Sequence, residues 1–224
     1  MRILVNILEL SLSRIYKNNW YRRFYVLETI SRVPYFAYLS VLHLYESLSL
    51  WREADWIKIH FAESWNELHH LRIIEALGGG QHWSDRFIGR IGVLAYYWIL
   101  VFAYMLTPRS AYHFNQLVEE HAHHTYDEFI KEHEATLKTQ PAPQVAINYY
   151  QNGDLYMFDE FQTSQPAASR RPKIENLYDV FVAIRDDEME HVKTMKTCQR
   201  LDAKEIFHSP HNSETNSQRE KTLV

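Results

Sequence analysis

The sequence predicts an all-α protein built on a four-helix bundle, and three observations point there. The 224 residues include only six Gly and seven Pro, too few for a β-rich chain that needs many tight turns. Apolar residues make up 46% and charged residues 23%, which is enough apolar material for a packed core in one domain. Between the breaks, apolar positions recur with helical spacing.

Composition also removes several classes of function. A single cysteine, Cys198, excludes a disulfide framework, a Cys-based zinc site and an iron–sulfur cluster. With a net charge of −4 there is no surplus of Lys and Arg to displace counterions, so no nucleic-acid partner is expected. What the chain has in excess is histidine (13) and aromatic side chains (15 Tyr, 11 Phe, 6 Trp).

Residues 1–19 read as an amphipathic helix. Ile3, Leu4, Ile7, Leu8, Leu10 and Ile15 share one face, suited to a membrane surface or to the protein's own core. No small-residue cleavage site marks a signal peptide. The bundle itself is expected over 20–201. Its first block runs from Tyr21 to Leu50, and the next from about Asp55 to the stop at Gly78-Gly79-Gly80. A further helix follows Ser84, a candidate N-cap, and ends before Pro108. Another runs from about Ser110 to Ala135. A folded but irregular excursion is expected over about 138–173, then a last helix from about Lys173 to Leu201. Residues 202–224 are polar and aperiodic, the signature of a disordered tail.

The longest uncharged run, Ile91 to Pro108, spans ~27 Å as a helix, just short of a ~30 Å hydrocarbon core. Tyr96, Tyr97 and Trp98 sit in its middle rather than at its ends. The pattern favours a protein that dips into one leaflet over one that spans.

Two helices contain Glu-x-x-His: Glu67 with His70, and Glu188 with His191. Residues i and i+3 share a helix face, so each pair aims at one spot. Both faces are otherwise apolar, with Leu71 and Ile74 around the first and Phe181, Ile184, Val192 and Met195 around the second. A carboxylate facing a core must be paired, neutralised or bound to metal. Two further helices carry an acid among apolar neighbours: Glu28, and either Glu119 or Glu120, between which spacing does not choose. Four carboxylates and two neutral imidazoles balance two divalent ions, and this is the ligand set of ferritin-like di-metal carboxylate bundles. Oxygen-rich ligands with imidazole suit iron or manganese.

At these motifs the chain resembles the alternative oxidase family, membrane-bound di-iron quinol oxidases, and within it the plastid terminal oxidase branch. The resemblance runs over about 20–200, through RFYVLETISRVPYFAYLSVLHLYE, HFAESWNELHHLRIIEALGG, PRSAYHFNQLVEEHAHHTYDEFI, GDLYMFDEFQTS and RRPKIENLYDVFVAIRDDEMEHVKTM. It implies two iron ions held by Glu28, Glu67, His70, Glu119, Glu188 and His191. Glu119 is favoured over Glu120 because Tyr126, matching an essential family tyrosine, follows it by seven. By the same matching Arg23, Leu27, Thr125 and Tyr126 would line a quinol pocket, and Asn66 and Asp187 would orient ligands. His69, His121, His123 and His124 receive no ligand role, being left at the surface or behind the ligands.

The implied reaction oxidises two quinols, plastoquinol by branch, and reduces one O₂ to two waters. Tyr126 would assist O–O cleavage by giving up an electron and a proton. No acid–base chain crosses a spanning segment, so proton pumping is not expected. The implied partners are quinol, O₂, interfacial membrane lipid and a second copy in a homodimer. Plant members carry a transit peptide and a longer first helix, whereas here the first ligand is residue 28, which fits a prokaryotic or viral chain at a thylakoid or cytoplasmic membrane. Two other functions share these helices: a soluble di-iron oxygenase or radical generator, and a non-catalytic membrane-surface bundle.

Overall fold

The fold is known from a computed structural model that describes residues 10–17, 19–50, 53–153, 160 and 171–203. Among these residues there is no strand. Seven helices follow one another: α1 (Trp20–Ser31), α2 (Val33–Ser47), α3 (Ala54–Ala76), α4 (Trp83–Leu106), α5 (Pro108–Leu137), α6 (Gln144–Asn152) and α7 (Leu177–Cys198). Residues 10–16 form a further helical stretch ahead of them. The expected features at residues 1–9, the GDLYMFDEFQTS segment apart from Gly153 and Glu160, and the tail from 204 lie outside the described residues.

Several boundaries differ from the expectation for physical reasons. The single block over 21–50 is two helices. Pro34 lacks the N–H that would continue the ladder, so α1 stops at Ser31, Arg32 forms the turn, and the proline falls in the first turn of α2. Ser84 is not an N-cap. α4 already begins at Trp83 after an extended His82, and the Ser84 hydroxyl turns to Asp85. Pro108 opens α5 rather than preceding it, leaving only Thr107 between α4 and α5. The excursion is partly regular, because α6 occupies 144–152. α7 starts at Leu177, where Asn176 and Asp179 form a reciprocal capping box.

Four helices, α1, α3, α5 and α7, surround one interior, with α5 and α7 packed against each other along most of their length. α2 and α4 form a second layer against them. Its core is aromatic: Tyr38, Tyr104 and Tyr112 are fully buried and in ring contact. Gly80, at φ +72°, returns the chain after α3. A Cβ there would collide with the ring of Tyr25, so only glycine fits.

α4 lies lengthwise on the bundle. Near its start Asp85 pairs with Arg22 of α1 at 2.7 Å, and near its end the Met105 carbonyl accepts from Tyr45 of α2 at 3.4 Å. Its other face is apolar and exposed, with Trp98 57% and Phe102 59% accessible. Among the described residues it is the one helix long and apolar enough to cross a membrane.

Candidate metal centre

Each of the four bundle helices brings one acid to the same point in the interior. α1 carries Glu28 and α5 carries Glu119, while α3 carries Glu67 with His70 and α7 carries Glu188 with His191. All six side chains are at most 2% accessible. They form two overlapping quartets, Glu28–Glu67–His70–Glu188 and Glu67–Glu119–Glu188–His191, whose donor atoms lie within 4.8 Å of one another. Glu67 and Glu188 belong to both, as bridging carboxylates between two cations must.

The histidines turn their Nδ1 atoms inward. His70 Nδ1 is 3.1 Å from Glu188 Oε1 and 3.7 Å from Glu28 Oε2, and His191 Nδ1 is 2.9 Å from Glu67 Oε1. Behind His70, Asp187 Oδ2 accepts from its Nε2 at 3.1 Å, from Asn66 at 2.9 Å and from Tyr150 at 2.9 Å. Asn66 also donates to Tyr149 at 2.7 Å. A carboxylate behind a histidine fixes its tautomer and ring orientation, as metal ligands require.

Closely packed charge perturbs Glu28, Glu119, Glu188 and both histidines. Burial, then the charges of Glu67 and Glu188, push the carboxyls of Glu28 and Glu119 well above the usual range. Burial would lower both histidines. Hydrogen bonds that His70 donates to Asp187 and Glu188, and that His191 donates to Glu188 and Glu67, outweigh it and raise them. Glu188, between the two rings, is held far below the usual value despite burial.

The donor set fits a pair of divalent cations. Glu28 Oε2, Glu119 Oε2 and both oxygens of Glu188 are buried without a well-aligned hydrogen bond, a costly state that cations relieve. Cation charge also replaces the protons that crowding otherwise forces onto Glu28 and Glu119.

Tyr126, buried on α5, donates to Glu28 and stacks on Phe24 with centroids 4.4 Å apart. Beside it opens a cavity of about 230 Å³, reached by Leu27, Glu28 and Tyr126. Arg23 and Thr125 are buried outside its lining. Arg23 packs over Trp20, and the Thr125 hydroxyl bonds the His121 carbonyl at 2.9 Å. Glu120 points elsewhere, bonding Gln116 at 2.8 Å and pairing with Lys196 at 3.1 Å.

The sequence did not single out four residues at this centre. Ser31, one turn after Glu28, donates to Glu67. Tyr35 donates to Glu119 at 2.8 Å. Tyr149 and Tyr150 come from α6, which the pattern left irregular. His121, assigned no role, lines the cavity. His69 stacks on Tyr149, His123 is half-buried, and His124 is exposed beside Glu128.

The family description "Alternative oxidase" matches residues 1–200. Ubiquinol oxidase 4, chloroplastic/chromoplastic, from Arabidopsis thaliana is 57% identical over 201 residues, covering 90% of this chain and 56% of that protein. Ubiquinol oxidase 2, mitochondrial, from Glycine max is 28% identical over 188 residues, covering 84% and 50% respectively. A mitochondrial alternative oxidase from Cryptococcus neoformans is 30% identical over 196 residues, covering 84% and 43%. The chain spans about half the length of the curated relatives it matches.

Proposed function

The chain belongs to the alternative oxidase family, and from that premise we propose that it is a di-iron quinol oxidase, transferring electrons from two quinols to O₂ with release of two waters. The observation that carries this reading is the pair of buried quartets sharing Glu67 and Glu188. Plastoquinol is the proposed donor, supported by the higher identity to the chloroplastic relative than to the mitochondrial ones.

Glu28, Glu67, His70, Glu119, Glu188 and His191 would hold the irons, which supply redox exchange with O₂ when bound. Asp187 holds His70 with Nδ1 facing inward, and Ser31 and Tyr35 hold Glu67 and Glu119. Tyr126 touches both the cavity and Glu28, so its phenolic proton has an acceptor at the edge of the cluster. Burial and the Glu28 charge keep that phenol protonated at rest. The apolar cavity admits a quinol ring and excludes bulk water. Arg23 and Thr125 border this region from behind and act on the quinol only through neighbouring side chains.

The exposed face of α4 supports attachment to one leaflet, since both ends of the helix are bound to the bundle. A quinol dissolved in lipid then has a short lateral path past Gly92 of α4. The test is O₂ uptake driven by decylplastoquinol in membranes with and without the chain. Cyanide-insensitive uptake that appears with the chain supports the reading. No added uptake overturns it.

A further inference from the structure

α4 contributes a tyrosine to the cavity whose hydroxyl has nothing to bind. Tyr96 lines the same space as Glu28 and Tyr126, and its ring meets Phe114 edge-on at 6.2 Å. Its hydroxyl is buried and makes no hydrogen bond among the described residues. Of the other polar groups at the cavity wall, Ser31 and Tyr126 bond carboxylates, His121 meets Thr125 at 3.3 Å, and Glu28, an acceptor, belongs to the carboxylate–histidine cluster. Leu27, Ile30 and Val118 make the rest of the wall apolar. Burial, then the charge of Glu119, raises the Tyr96 pKa, so the group remains a donor.

A buried donor without an acceptor is unfavourable and is retained where an incoming group completes it. An apolar slot with one unengaged hydroxyl at its wall, among the described residues, matches a flat ring bearing an oxygen on its edge. We infer that Tyr96 is a positioning residue for the quinol, donating its hydroxyl hydrogen to one ring oxygen and so fixing the depth and rotation of the ring beside Glu28 and Tyr126. This rests on the quinol reading. The assignment serves both redox forms, because a quinone carbonyl only accepts and a quinol hydroxyl oxygen can also accept.

The experiment compares the full chain with Tyr96→Phe in three measurements: decylplastoquinone binding by calorimetry, quinol kinetics, and thermal unfolding without quinone. Loss of one hydrogen bond should weaken the dissociation constant about five- to tenfold, with a matching rise in KM and kcat within about twofold. Unfolding without quinone should occur at the same or a higher temperature, because an unsatisfied hydroxyl has been removed. A hydroxyl with a structural role would instead lower the unfolding temperature, and that result overturns the inference even if the variant folds poorly. Equal binding by both proteins overturns it while leaving the quinol reading intact. Absence of binding and turnover in the unsubstituted chain overturns both.

Discussion

Asp187 Oδ2 accepts from His70 Nε2 at 3.1 Å, and the opposite ring nitrogen thereby faces Glu188 and Glu28. The same oxygen is held by Asn66 and Tyr150. Asp187→Ala removes the shared acceptor and frees the imidazole to rotate. Metal affinity should fall about 10- to 100-fold, read as iron retained against graded chelator. Tyr150→Phe, which takes away one of three donors, should lose less. Retention equal to the parent chain in Asp187→Ala would show that packing alone orients His70.

Glu119 and Glu120 are adjacent in sequence and opposite in environment: the first is fully buried in the carboxylate–histidine cluster, the second bonds Gln116 and Lys196 near the surface. Glu119→Ala should abolish oxidase activity and lower iron content, because it removes a donor from one of the two quartets. Glu120→Ala should change stability by no more than about 1 kcal/mol and leave iron content intact. The reverse pattern would refute the assignment of Glu119.

That contrast marks what was legible in the sequence. Spacing alone brought out both Glu-x-x-His pairs and Glu28, because each lies on an otherwise apolar helical face. It did not separate Glu119 from Glu120, since neighbours in a helix differ by only about 100° in direction and both faces of α5 carry polar groups. The supporting partners were harder still. Tyr149 and Tyr150 reach Asn66 and Asp187 across more than 35 residues of chain, and no local pattern encodes such a contact. Ser31 was within reach, standing three residues after Glu28 on the same face.

Tyr126 is held by Phe24 stacking as well as by its bond to Glu28, so Tyr126→Phe should keep the ring in position and the iron bound. Turnover should fall by about 100-fold or more if the phenol supplies a proton and an electron. A variant of normal speed removes Tyr126 from the chemistry.

The helical stretch at 10–16, α1 and α4 meet at one buried carboxylate. Asp85 is 1% accessible and receives Arg22 Nε at 2.7 Å, Arg22 Nη2 at 2.8 Å and the Tyr16 hydroxyl at 3.2 Å. The hydrogen bond from Arg22 holds its pKa below the usual carboxylate value. A depressed folded-state pKa contributes stability above the unfolded value of about 3.9, and that stability is lost as pH falls through the folded value. Asp85→Asn should therefore cost about 2 kcal/mol at pH 7, and the gap to the parent chain should close below about pH 4 in thermal unfolding. A gap independent of pH would mean that shape rather than charge matters at Asp85.

Iron content of the purified chain tests the central claim most directly. Six side chains in two quartets sharing Glu67 and Glu188 predict about two irons per chain, falling below one in Glu188→Ala, because that carboxylate serves both quartets. A chain that binds no iron, or that keeps its full complement without Glu188, contradicts the account.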